Sequence, residues 1–185
     1  MKKTIITLLL AGMIGSCFAG CGDVSESSSS SSEPKQTQAT SVTKKPAAED
    51  HGVSSELAYS KAMEMVDGIN KLRRENGVPE LVADEKMMEA AAVRAQELSA
   101  KFSHERPNDE AGISIIFEAI PDVWYTGENI QVGTDSADSA LSEFSDSDAH
   151  MKTMLSVDFS MVGVGYCVDE SGHGYWCQLF AGYKE

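Results

Sequence analysis

The imidazoles of this chain are His51, His104, His150 and His173. Imidazole changes protonation near neutral pH and, when neutral, ligates transition metals. Beside a carboxylate, two such groups suit zinc, with a fourth position open to a water acidified enough to attack a carbonyl. His51 falls in or next to a polar linker and His173 in a glycine-containing turn, and both are read as solvated. His104 sits in the break Phe102-Ser103-His104-Glu105-Arg106-Pro107, and His150 rides on a helical turn. The run from His104 to Glu128 to His150 carries no intrinsic metal pattern, because it lacks the tight spacing of His-Glu-x-x-His on one helix. Residue by residue, each imidazole is equally explained as a hydrogen-bonded structural group. Glu128, between glycine-turn segments, is explained as a carboxylate that satisfies backbone N–H groups. Catalytic residues are therefore not assigned: Ser147 and His150 share a turn, but Ser147 reads better as a helix cap.

The elements that must position these groups follow from periodicity. Ala58, Ala62, Met65, Val66, Ile69 and Leu72 predict a helix from about Ser55 to Asn76, stopped by Gly77 and Pro79. Asp84 is an N-cap for a second helix, whose stripe Met87, Ala91, Ala95, Leu98 and Phe102 extends it to about Phe102. Its alanines let another layer approach closely, and Met63, Met65, Met87 and Met88 read as core filler rather than as a metal site. A short helix is predicted over Ile113 to Ile120. Ser136 caps a further helix carrying Ala137, Ala140, Leu141 and Phe144, and Ser147 caps the turn that carries His150, Met154 and Leu155.

The period then changes to two. Val162, Val164, Tyr166 and Val168 alternate with Gly163, Gly165 and Cys167, and Tyr175 to Phe180 forms a second strand. Asp169 to Gly174 joins them as a hairpin. If Gly172 is its centre, Cys167 and Cys177 stand opposite each other, a position for a disulfide. Helices first and paired strands last, with few parallel crossover signals, give an α+β class with a mainly antiparallel sheet.

The start of the chain has a different character. Lys2 and Lys3, the apolar run Ile5 to Ile14 and the small residues before Cys21 have the order of a secretory signal, residues 1–20. Phe18-Ala19-Gly20-Cys21 resembles the lipobox at which bacterial lipoproteins are acylated, and Ile14-Gly15-Ser16-Cys17 is a competing box. Lipidation at Cys21 would make the membrane a partner and place the protein on its extracytoplasmic face. Residues 21–53, with the serine run Ser27 to Ser32, have too little apolar surface to offset their ordering entropy and read as a tether. The folded domain is expected over residues 54–185. A net charge of −14, from 29 acidic and 15 basic residues, repels nucleic acid and excludes it as a partner class. With Cys17 and Cys21 spent at the N-terminus, Cys167 and Cys177 remain, an even pair in an exported domain.

Several segments, in order, resemble the CAP superfamily of cysteine-rich secretory, venom-allergen and pathogenesis-related proteins. They are Asn70-Lys71-Leu72-Arg73, the alanine-rich Ala90 to Ala95, Ser103-His104-Glu105-Arg106-Pro107, Gly127-Glu128-Asn129-Ile130, His150 to Leu155, and the closing strands around Gly163-Val164-Gly165 and Tyr175-Trp176-Cys177-Gln178. The resemblance implies an α-β-α sandwich with a cleft. It places His104, Glu128 and His150 in that cleft as metal ligands, for zinc or another divalent ion. Eukaryotic members add a second Glu, and the matching position here is Ser147. Glu143 lies nearby but is not assigned. Asn129, Trp124, Tyr125 and Ser147 are the expected binding residues; the aromatic pair either lines a ligand groove or caps the core. Two function classes follow: an anchored binding module for an extracellular lipid, cell-wall or protein ligand, or a metal-dependent hydrolase or peptidase.

Overall fold

The computed structural model describes residues 53–184. The signal segment, Cys17, Cys21, His51 and nearly all of the tether lie outside the described residues. Helix α1 (Ser55–Glu75) begins where the Ser54 side chain accepts the Leu57 N–H, and it buries Ala62, Met65, Val66 and Ile69. Helix α2 (Glu85–Ala100) begins at Asp84, whose carboxylate accepts the N–H groups of Lys86 and Met87. Helices α3 (Ser114–Ala119), α4 (Ala137–Ser145) and α5 (Asp148–Met154) follow, and the Ser136 and Ser147 hydroxyls cap α4 and α5 as their sequence positions predict. The second helix stops short of Phe102 because Lys101 turns extended; the half-exposed Phe102 ring then packs on Tyr175.

The strands are β1 (Val82–Ala83), β2 (Tyr125–Val132), β3 (Met161–Val168) and β4 (Gly174–Gly182), arranged β1-β3-β4-β2. The sheet is mixed: β1 runs parallel to β3, while β4 pairs antiparallel with β3 and β2. Each face of the sheet carries a core. One side holds α1, α4 and α5 around Phe144, Trp176 and Phe180, and the other holds α2 and α3 around Leu98, Ile116 and Leu179. The expected sandwich is present, and every residue of both cores lies within 53–181, so this span carries its own folding determinants.

Two expectations are corrected. Tyr125 opens β2, a strand that periodicity did not reveal. The hairpin register is also displaced. The turn closes with the Asp169 N–H on the His173 carbonyl at 3.0 Å, and Gly172 takes a left-handed φ of 85° on its far limb rather than at its centre. Cys167 therefore stands across from Tyr175, and Cys177 across from Gly165. Both thiols are free. The Cys167 thiol donates to the Ala95 carbonyl at 3.0 Å, and burial pushes its pKa up to about 11. Cys177, fully buried, is raised well above the usual thiol value by the same desolvation. Thiols held protonated in this way are poor nucleophiles.

Helix α2 and strand β3 approach each other closely. A Cβ on Gly163 would fall within the Met87 carbonyl, and one on Gly165 within that of Ala91. The small residues of both elements let helix backbone lie directly on strand backbone. Gly165→Ala should therefore force the layers apart and cost roughly 3 kcal/mol, the upper end of ordinary overpacking. Urea unfolding measures it, and an unchanged midpoint would show that α2 yields freely.

Candidate functional site

The site is built where α2, the segment after it and β2 meet. Arg94 lies on the inner stripe of α2 beside Ala91, Ala95 and Leu98, and its side chain is 0% exposed. Its Nε donates to Glu128 Oε2 at 2.8 Å, and one terminal nitrogen donates to the Ser103 carbonyl. Glu128, in the middle of β2, has a side chain only 3% exposed. Its other oxygen, Oε1, is 2.7 Å from Nδ1 of His104. The carboxylate presses on Gly112, where a Cβ would overlap both oxygens; the Gly112 N–H closes the same loop on the His104 carbonyl at 2.6 Å. A carboxylate partner for Nδ1 assigns the proton to that nitrogen and leaves Nε2 as the free face of His104.

His150 reaches the same region from the opposite face of the sheet. Ser147 caps the turn below it, and Phe144 packs edge-on against its ring with centroids 5.1 Å apart. Its backbone carbonyl accepts from Asn129 Nδ2 at 3.2 Å; that amide also donates to Gln178 Oε1 at 3.0 Å. The His150 Nδ1 is buried without a hydrogen-bond partner. Its pKa is held below the ordinary 6.5, first by desolvation and second by repulsion from His104.

The expected residues are thus divided. His104 and Glu128 are in contact, and His150 approaches from across β2. However, among the described residues no three His, Cys, Asp or Glu side chains gather as a metal site. Glu128 is committed to Arg94 and His104. Asn129 is buried as a stitch between β2, β4 and α5, and Ser147 is a cap. Trp124, 64% exposed, lies at the head of β2 with Lys184 4.7 Å above its ring, and Tyr125 is half-buried beside it. Glu143 accepts from Gln131 Nε2, further along β2. Sequence reasoning missed Arg94, although an arginine inside an otherwise apolar helical stripe is itself a signal that a buried anion awaits it.

Two outcomes follow. Arg94→Met leaves the Glu128 carboxylate buried beside no cation and should destabilise the domain by about 3–5 kcal/mol, measured by urea unfolding; a loss under 1 kcal/mol would mean that the carboxylate escapes to solvent. For His150, a folded pKa below the unfolded value means fewer protons bound in the folded state. Its contribution is complete above pH 6.5 and is lost as pH falls from there through the folded pKa. In an NMR titration of the metal-free domain His150 should titrate below 6.5, and His104→Ala should move it only part of the way up, because burial remains.

Residues 66–180 match the cysteine-rich secretory protein family, CAP. YkwD of Bacillus subtilis strain 168 is 30% identical over 131 residues, covering 70% of this chain and 49% of YkwD, so the chain spans about half the length of that curated relative. An extracellular protein containing an SCP domain from Bacillus anthracis superposes with a TM-score of 0.60 at 21% identity, over 68% of this chain and 41% of its own. An outer surface protein of Borrelia burgdorferi gives 0.64 at 15% identity, over 74% of this chain and all of its own. At those identities the two structures share the fold alone. The family match runs from within α1 to within β4 and takes in Arg94, His104, Glu128 and His150, so the chain belongs to the CAP family of cysteine-rich secretory proteins.

Proposed function

We propose that the protein is an extracytoplasmic binding module, anchored to the membrane through lipidated Cys21, whose cleft between His104 and His150 takes a divalent metal such as zinc or a small lipid or wall ligand. One pair of contacts carries the reading: His104 is hydrogen-bonded to Glu128 and the turn that bears His150 is hydrogen-bonded to the next residue of β2, Asn129. A histidine whose Nδ1 is tied to a carboxylate and whose Nε2 is free has the arrangement that orients metal-ligating histidines. His150 adds a buried nitrogen without a partner. Glu128 acts from behind His104 instead of as a third ligand, because both of its oxygens are engaged. Bound there, a cation would supply Lewis acidity and a positive charge in an acidic protein.

The anchored, exported reading is supported by the charged, apolar and small-residue order before Cys21, and by relatives described as an extracellular and an outer surface protein. Among the described residues no helix is long and apolar enough to cross a membrane. Binding is favoured over the hydrolase reading because Glu128 and Ser147, the groups closest to acid–base or nucleophilic use, are held in structural hydrogen bonds.

Calorimetric titration of zinc into residues 53–185 tests the metal. One-to-one binding is expected, reduced at least about tenfold in His104→Ala and in His150→Ala, as the loss of a first ligand requires. Three folded proteins that all ignore zinc would remove the metal from the proposal.

A further inference from the structure

The Glu128, Asn129 and Gln131 side chains of β2 are hydrogen-bonded, but part of its backbone is free. Beyond the Val132–Tyr175 pair, the Gly133 N–H donates to the Gly174 carbonyl at 2.9 Å. Hydrogen-bonded pairs alternate along an antiparallel ladder. The odd-numbered residues of β2 therefore face β4, while Thr126 and Glu128 turn their N–H and C=O groups to the other side. On that side β2 is the last strand of the sheet. Among the described residues no hydrogen bond is made to these backbone groups. The main chain is also accessible there. Glu128 is half-buried although its side chain is only 3% exposed, so most of its exposed surface is backbone. Gly127, which has no side chain, is half-buried as well.

What flanks this edge gives it meaning. Glu128 holds His104 against one face of the strand, and Asn129 holds the His150 turn against the other. Trp124, large and exposed, stands at the strand's head. We propose that the open edge of β2 at Thr126–Glu128 is a docking site for an extended peptide of basic or neutral composition, which adds to the sheet as a further strand between the two histidines. This rests on reading the cleft as a binding site and names the chemistry of its ligand.

The occupant follows from two features. The free donors and acceptors repeat every second residue, about 6.8 Å along a strand, and an extended polypeptide offers the matching repeat. The chain carries a net charge of −14, so an acidic peptide is repelled and a lysine- or arginine-bearing one is drawn in. A second copy of the same acidic chain is disfavoured on the same ground.

The test pans a displayed library of random linear nonapeptides on residues 53–185 and on Thr126→Pro. Proline is tolerated on an edge strand where its missing N–H faced solvent, so the variant should keep its fold and its zinc titration while losing one outward donor and obstructing the edge. Lysine- or arginine-enriched peptides are expected from the native domain. They should bind Thr126→Pro at least about tenfold more weakly, the effect of one to two hydrogen bonds. N-methylation of alternate peptide amides should have the same effect without altering the protein. No enrichment, binders indifferent to both changes, enrichment of acidic peptides, or concentration-dependent self-association of the domain through this edge would each overturn the inference. Any of these with zinc binding intact would leave the metal-binding cleft standing and remove only the peptide.

Discussion

A carboxylate placed in the middle of a strand, against a helix, has to be neutralised or it unfolds what surrounds it. Glu128 is such a group, and the fold around it is organised to meet that requirement. Arg94 comes from α2, His104 from the segment beyond α2, and the space for the carboxylate comes from Gly112, which has no Cβ to occupy it. Desolvating an ion pair is repaid only when geometry is good and the remaining donors find acceptors. Here one terminal nitrogen of Arg94 takes the Ser103 carbonyl and the other, buried without a hydrogen bond, lies 3.5 Å from Glu97 Oε2, so the guanidinium that neutralises Glu128 also ties down the loop that presents His104. The orientation of the imidazole is thus a consequence of how a buried charge is stabilised.

A second polar thread answers the first on the other face of the sheet. Asn129 points away from Glu128, as successive strand residues must, and ties β2 to the His150 carbonyl and to Gln178. Nearby, Arg73 is fully buried with carbonyl partners, those of Pro79, Met154 and Ser156, and burial lowers its pKa. It holds the ends of α1 and α5 together, and the double hydrogen bond between Asn70 and the Leu81 backbone fixes the link that follows α1. These bonds tie the end of α5, the helix that bears His150, to α1.

The parts of this architecture that could be read in the sequence are those dominated by apolar periodicity and capping. The stripes of α1 and α2, the capping roles of Ser136 and Ser147 and the alternation in β3 each reflect one local rule, and each is found in the fold. Strand β2 was hidden because it obeys no such rule. Glu128, Asn129 and Gln131 place polar groups on both of its faces, and they are buried only because tertiary partners satisfy them. The two-residue strand β1 was too short to show a period, and its parallel pairing with β3 makes the sheet mixed. The hairpin register departs from the expected one for a related reason: Gly172, which needs a positive φ, lies on the far limb of the turn, and the Asp169 carboxylate, accepting N–H groups from Ser171 and His173, shapes it. Of the site, sequence resemblance supplied His104, Glu128 and His150, but not the Arg94 pairing that removes Glu128 from the set of free ligands.

That removal changes what β2 has to offer. Once Glu128 and Asn129 serve the fold, the outward main-chain groups of Thr126 and Glu128 remain available in β2. Exposed strand edges are usually blunted by charge, proline or a covering element, because they recruit other chains indiscriminately. Here the open stretch is short and sits on an acidic protein, which restricts approach to partners of suitable charge and extended shape. A strand stabilised through buried polar side chains need not carry an apolar outer face to hold its place in the sheet. It can therefore leave its edge to water and to a ligand without also exposing a surface prone to aggregation.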